Sequence, residues 1–348
     1  MRPLSALCDS LFVLLVLCFA WGIADAQSPP RLIADKEDRL VGMKDPGVVM
    51  LALPGFSQER EPYLLLGDYM HNRLRAFRMV DFEAREEIAL KLPPLKPGFQ
   101  RWASCALVEG DTIWLYYTMG DVAGGIKWPT FRIYVAKGRI PREGPVREIT
   151  FDEEREVVLL TSGEFNGAKD YGIIDAELFR DDDGQLYIYY NVVLAGIPKV
   201  RHRSSPIRSQ RMHDYVTAFG QDDEKRVWDD QPGEDGVAEA PAIIKRGGRY
   251  LMFYSSRGSD RDQCVALLES DRPHGAPWTN RRIISSTRAD DKPAHLAAEP
   301  WERLGVGGQC VFEKDGKVCL LYQGLGALEA GEPPERNRFR AAVMEYRE

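Results

Sequence analysis

The chain has 348 residues, 44% hydrophobic and 28% charged, a balance that suits a folded protein with a large core, in one big β domain or two smaller ones. Its formal net charge of −7, without any basic cluster interleaved with aromatics, argues against a nucleic-acid partner. Beyond residue 26 nothing is apolar over a long enough stretch to span a bilayer.

The first 26 residues stand apart. Arg2 supplies a positive start, Leu11 to Ala20 form an apolar run, and Ala24-Asp25-Ala26 makes a small-x-small cleavage site before Gln27. The run is short for a membrane anchor. Cys18 follows Val16-Leu17 without the small residue that precedes a lipid-bearing cysteine. The expectation is a signal peptide over 1–26 and a secreted or periplasmic mature chain, 27–348, with no membrane attachment after cleavage. No low-complexity stretch or Pro/Gly linker divides that chain, so it reads as a single domain.

After a charged lead-in over 27–40 comes a series of hairpins. Lys44 to Leu51 is an apolar strand, and the chain returns along Tyr63-Leu64-Leu65-Leu66-Gly67 after a polar excursion from Pro54 to Pro62. Trp102 to Val108 turns at Glu109-Gly110-Asp111 into Thr112 to Thr118. Ile174 to Arg180 runs through Asp181-Asp182-Asp183-Gly184 into Leu186 to Tyr190; the acidic run reads as a solvated turn and not a metal site. Glu239 to Ile244 turns at Arg246-Gly247-Gly248 into Arg249 to Ser255, and Gly307 to Phe312 turns at Asp315-Gly316 into Lys317 to Tyr322. Further strands follow, such as Phe131 to Ala136 and Gln263 to Leu268, and a last one from Phe339 to Tyr346. Residues 199–236 read as a long connection over one face, and 325–337 as a loop.

A common register runs through these hairpins. Fifteen residues separate Trp102 from Tyr117, Asp175 from Tyr190, Glu239 from Tyr254 and Gly307 from Tyr322. Hairpins of one length, recurring with β-rich segments between them and without long amphipathic helices, predict an all-β fold, a five-bladed β-propeller. A β-sandwich with incidental repetition is the alternative. In a propeller the first strand of each repeat lines the central channel. Asp45, Trp102, Asp175, Glu239 and Gly307 then gather round one axis. Three carboxylates at one mouth raise one another's pKa, an arrangement that stability alone would avoid and that points to catalysis. Each taken singly has a plainer reading: Asp45-Pro46 as a turn starter, Asp175 as a loop cap, Glu239 as a solvated strand end.

Four cysteines remain after the leader, Cys105, Cys264, Cys310 and Cys319, all within apolar strand-like runs. Disulfides are allowed in an exported protein, and Cys310 with Cys319, flanking one turn, form the candidate pair. Metal-type CxxC spacing is absent. His71, His202, His213, His274 and His295 show no ligand spacing; His202 and His213, in the long connection, are candidates only for lining the site.

These residues carry a resemblance. Lys44-Asp45-Pro46-Gly47-Val48, Trp102-Ala103, Ile174-Asp175-Ala176-Glu177-Leu178-Phe179 with Asp181-Asp182-Asp183-Gly184, and Glu239-Ala240-Pro241 together resemble the motifs of the family-43 glycoside hydrolases, five-bladed propeller enzymes acting on arabinose- and xylose-containing glycans. The likeness runs from Asp45 to Tyr322. It implies Glu239 as general acid, Asp45 as general base on water, and Asp175 as the carboxylate that keeps Glu239 protonated and oriented. It also implies inversion, with Asp45 and Glu239 ~6.5–9.5 Å apart so that a water fits between them. Trp102 is the candidate sugar platform, or else a core tryptophan between blades; Arg257 is the candidate donor to sugar hydroxyls, or else a surface arginine.

The chain departs from the family pattern at three places. Ala176 replaces the usual proline, Ala240 the usual glycine, and Gly305-Val306-Gly307-Gly308-Gln309 stands where members carry Gly-x-Gly-His. The missing histidine argues against the central calcium ion that many members hold, so no cofactor is assigned. The partner implied is an oligosaccharide or polysaccharide. Two other readings stay open. One is a related propeller glycosidase acting on fructans, galactan fragments or mannosides, although the Trp-x-Asn-Asp-Pro and Arg-Asp-Pro motifs of fructan enzymes are missing. The other is a non-catalytic carbohydrate-binding propeller.

Overall fold

The computed structural model describes residues 28–34, 39–40, 42–159, 171–194, 203–258, 262–275, 277–326 and 339–347. The leader assigned to 1–26 lies outside the described residues, as does His202. Among those described, helix is confined to short 3-10 turns, and none is long and apolar enough to cross a membrane.

The strands fall into five antiparallel groups. Blade I is β2 (Lys44–Leu51), β3 (Glu61–Asp68), β4 (Arg73–Val80) and β5 (Glu83–Lys91). Blade II is β6 (Phe99–Glu109), β7 (Thr112–Asp121), β8 (Arg132–Arg139) and β9 (Glu148–Glu156), joined to blade I where β5 and β9 pair in parallel. Blade III is β10 (Tyr171–Arg180), β11 (Leu186–Leu194), β12 (Arg203–Met212) and β13 (Lys225–Trp228). Blade IV is β14 (Ala238–Arg246), β15 (Arg249–Ser256), β16 (Cys264–Ser270) and β17 (Thr279–Ser286), with the short β18 (His295–Leu296) beside it. Blade V is β19 (Gly305–Lys314), β20 (Lys317–Leu325) and β21 (Phe339–Tyr346), completed from the other end of the chain by β1 (Arg31–Leu32), whose Arg31 pairs with Val343. The inner strands touch in the cyclic order β2, β6, β10, β14, β19 and back to β2. That closed ring is the five-bladed propeller.

Each second strand is sandwiched between two neighbouring blades, so its sequence is apolar on both faces and runs unbroken where a half-exposed strand would alternate. On β3, Tyr63 and Leu65 pack toward blade II against Leu115 and Tyr117, while Leu64 and Leu66 pack toward blade V against Leu321 and Val343. Similar layers fill the gaps between blades II and III, III and IV, and IV and V. The turns of blades IV and V carry positive φ at both central residues, Gly247 and Gly248, and Asp315 and Gly316, the hand that matches strand twist.

Two expectations are corrected. Residues 199–236 are not a mere connection, since β12 and β13 lie within them. The β12 stretch Arg203 to Met212 is too polar to read as a strand, but pairing with β11 satisfies its backbone, and the buried Arg208 is paired with Glu224. The four cysteines are free, so the Cys310–Cys319 bridge is not made. Cys319 packs in the apolar layer between blades V and I, whereas Cys310 lines the channel.

The inner strands approach so closely that Gly47 has no room for a side chain: a Cβ would sit 2.2 Å from the Ser104 carbonyl oxygen of blade II. Gly47→Ala should therefore lower the urea midpoint at unchanged m value, a loss of about 1–3 kcal/mol from overpacking.

Candidate active site

All five inner strands break register at the same height. The irregularities lie between Lys44 and Gly47, Trp102 and Ser104, Ile174 and Glu177, Glu239 and Ala242, and Gly307 and Cys310. In each, one residue has positive φ: Asp45 (51°), Ala103 (34°), Asp175 (54°), Ala240 (51°) and Gly308 (53°). Such bulges bend a strand and re-aim its side chains, here into the channel. The left-handed conformation costs a non-glycine residue about 1–2 kcal/mol, least for Asp, whose short polar side chain bonds locally.

This alignment corrects the sequence register by one residue. Asp45 and Asp175 are equivalent to Ala103, Ala240 and Gly308, whereas Trp102, Glu239 and Gly307 are equivalent to Lys44 and Ile174. The third hairpin turn is longer than the others, Arg180 pairing with Leu186 where Glu109 pairs with Thr112, and counting through it shifted the frame.

Around the bulges runs a ring of hydrogen bonds, each from the positive-φ residue's amide to a side-chain oxygen of the preceding blade. Asp175 N–H donates to Thr118 Oγ1 (3.1 Å), Ala240 N–H to Asn191 Oδ1 (2.9 Å), Gly308 N–H to Ser255 Oγ (2.8 Å) and Asp45 N–H to Gln323 Oε1 (2.7 Å). Those acceptors occupy equivalent positions on the second strands, opposite Trp102, Ile174, Glu239 and Gly307. Blade I has Gly67 there, and the fifth acceptor is the hydroxyl of Tyr69, 3.4 Å from Ala103 N.

Asp45, Asp175 and Glu239 line one cavity of about 580 Å³. Burial pushes the Asp175 carboxyl well above its ordinary range, and the neighbouring Glu239 and Asp45 push it further; the Ala240 amide and Lys44 oppose this. Lys44 lines the same cavity, its ammonium 4.5 Å from the Phe339 ring centre. Gln263 donates from Nε2 to Glu239 Oε1 at 2.9 Å, in space that Gly307 leaves: a Cβ there would lie 2.1 Å from Gln263 Oε1. Tyr69 donates its hydroxyl to Asp45 Oδ2.

Trp102 also lines the cavity. Its ring lies 4.5 Å from Phe131, 5.9 Å from Tyr69 and, edge to face, 6.1 Å from Trp128. With Trp128 and the exposed Ile126 it supplies the apolar part of a lining to which Gln263 and Gln323 add polar groups. Arg257 is not there. Its side chain is buried beside blade IV, bonded to Asp291 Oδ1 (3.1 Å) and Oδ2 (2.5 Å) and to Ser286 Oγ (2.9 Å), and it does not line the cavity. The expectation of a sugar-binding arginine gives way to an ion pair within the blade. None of His71, His213, His274 and His295 lines the cavity either. His71 meets Asp68, His213 stacks on Phe219, His274 meets Ser209, and His295 meets Glu302.

Tyr69, Gln263, Gln323, Ser255, Thr118 and Asn191 were missed by the sequence reading. Four of them had a signal: each follows the late tyrosine of its hairpin, as Tyr117-Thr118, Tyr190-Asn191, Tyr254-Ser255 and Tyr322-Gln323. Gly308 stands where the family pattern carries its histidine, and the Gln323 side chain reaches that place. A Cβ on Gly308 would already lie 3.0 Å from Gln323 Cδ, so an amide holds the place of the histidine. Among the described residues no three His, Cys, Asp or Glu side chains are arranged to hold a metal.

Further along the axis lies a second space of about 40 Å³, lined by Cys105, Glu177 and Cys310 among others. The channel is hollow, so part of Glu177 is bare, yet protein surrounds its carboxyl, and burial pushes it up to about 8 against the Ile243 amide.

The sequence model of the glycosyl hydrolases of family 43 matches residues 78–340. A β-D-galactofuranosidase of Aspergillus niger is 27% identical over 180 residues, which cover 50% of this chain and 42% of that protein. The match thus spans less than half the length of that relative. Among solved structures, an exo-1,5-α-L-arabinanase from a bovine ruminal metagenomic library superposes with a TM-score of 0.62 at 15% identity, covering 92% of this chain and 94% of the other. A xylan β-1,4-xylosidase of Bacillus halodurans gives 0.61 at 15% identity, covering 88% of this chain and 53% of the other. At such identities the likeness to these structures shows the shared fold.

Glu177 generates a pH prediction. The fold holds its proton up to about 8, whereas the ordinary value is 4.5, so the folded state binds more protons over that window and loses stability as pH rises through it. Glu177→Gln should remove this slope: in urea unfolding the variant should match wild type near pH ~5 and exceed it near pH ~8.5.

Proposed function

The chain belongs to the glycosyl hydrolases of family 43, and on that premise we propose that it hydrolyses glycosidic bonds of glycans bearing arabinose, xylose or galactofuranose, with inversion. The observation that carries this reading is the convergence of three carboxylates from three blades on one cavity, with Asp175 held above its ordinary range by burial and, beyond that, by the other two.

The chemistry follows from that crowding. Three acids this close do not all ionise, and the retained proton belongs to the Asp175–Glu239 pair as a unit. Glu239, steadied by Gln263, delivers it to the leaving oxygen of the glycoside. Asp45 takes a proton from the water that attacks the opposite face of the sugar. Each turnover leaves Glu239 ionised and Asp45 protonated, and solvent exchange restores both. Trp102 offers its indole to a sugar face at the cavity mouth. The sugar class follows the names of the relatives, a galactofuranosidase, an arabinanase and a xylosidase. The leader over 1–26 supports export, with hydrolysis outside the cytoplasm.

The test is a panel of aryl glycosides of L-arabinofuranose, D-xylose and D-galactofuranose, with the product anomer followed by NMR. Glu239→Gln should lose ~10²–10⁴-fold in kcat/KM on substrates with poor leaving groups, the usual weight of a general acid. A wild type inert on every glycoside that still binds oligosaccharide would replace this reading with a non-catalytic sugar-binding propeller.

A further inference from the structure

The Tyr69 hydroxyl sits between two partners of fixed polarity. It accepts from the Ala103 N–H at 3.4 Å and meets Asp45 Oδ2. A main-chain N–H only donates, so the phenolic oxygen accepts there and its one proton is left for Asp45.

The surroundings hold the ring in that position. Gly67 stands where the other blades carry Thr118, Asn191, Ser255 and Gln323, and a Cβ on it would lie 2.6 Å from Tyr69 Cε1. The glycine thus lets the ring fold back across the strand end and supply the fifth acceptor. On its other side the ring is backed by Trp102, 5.9 Å away. Asp45 needs such support. Of the charged groups lining its cavity, Asp175 on β10 and Glu239 on β14 oppose its ionisation, while Lys44, beside it on β2, favours it. Blade V offers only the neutral Gln323 and Gly308.

We infer that Tyr69 is a positioning residue for Asp45: its hydroxyl, polarised by the Ala103 amide, keeps the carboxylate ionised and pins Oδ2. The catalytic part of this inference rests on the reading of Asp45 as the base; the bond itself does not. A hydrogen bond to a charged group is worth about one to two pH units of carboxyl titration.

The experiment follows the Asp45 carboxyl directly, by NMR titration of protein carrying ¹³C-labelled aspartate, with the signal assigned through Asp45→Asn. In Tyr69→Phe the carboxyl should titrate about one to two units higher than in wild type. The acidic limb of kcat/KM on an aryl glycoside should move up with it, a loss of about tenfold or more below the limb and little above it. Gly67→Ala, which displaces the ring but keeps the hydroxyl, should move the titration the same way and serves if Tyr69→Phe does not fold. An unchanged Asp45 titration in both variants overturns the inference, as does a kcat loss that is even across pH with no shift. A shifted titration in a protein that cleaves no glycoside keeps the bond's role and removes the glycosidase reading instead.

Discussion

The structure depends on how the five inner strands manage their closest approach. Packed round an axis, they leave no room for side chains at points such as Gly47 and Gly307, and their bulged amides turn away from their own ladders. Those amides face a channel where an unpaired donor would be costly. The answer is the ring of five side-chain acceptors, Gln323, Tyr69, Thr118, Asn191 and Ser255, each reaching from one blade to the next. Apolar layers hold the blades together along their length, and this polar ring fixes their angular setting at the mouth.

The same device makes the site. A bulge with positive φ turns a side chain into the channel, and two of the five positions hold Asp. Backbone strain of this kind is kept where the surroundings over-determine it, and it collects at functional sites. The third carboxylate, Glu239, comes from the position before the bulge, so it reaches the cavity by a different path and takes a different partner, Gln263. Acids that enter from unequal positions have unequal surroundings, and unequal surroundings separate their protonation. Asp45 has a hydroxyl on one oxygen; Asp175 has burial and two like charges.

Support behind the site is charged but internally matched. Glu234 is buried and accepts from Tyr254, Ser256 and Arg281, tying the loop before β14 to the second and fourth strands of blade IV. Glu302, fully buried, accepts from Tyr322 and meets His295, clasping the segment before β19 to blade V. Arg257 belongs to this class of residue. Its pairing with Asp291 and Ser286 resembles a binding arginine in sequence, because a guanidinium just past a hairpin suits either use. Only its burial tells them apart.

The sequence by itself determined the repeat, the strand class, and the three acids. Unbroken apolar second strands, as in Leu186 to Tyr190 and Tyr250 to Tyr254, follow from burial on both faces, a local property of each repeat. Counting along the chain brought Asp175 and Glu239 to one mouth, with Asp45 added from the first, longer unit, but it set Asp175 out of frame with Glu239 by one residue, because the longer turn at Asp181 to Gln185 is invisible to a register counted through it. Only the tertiary structure decided which neighbours those acids have. Tyr69 on Asp45, Gln263 on Glu239 and Gln323 in the place of a histidine are contacts between residues from about 24 to 278 positions apart, made because glycines at 67, 307 and 308 leave space. No periodicity encodes such space, since it is defined by the strand that arrives from the other side of the ring.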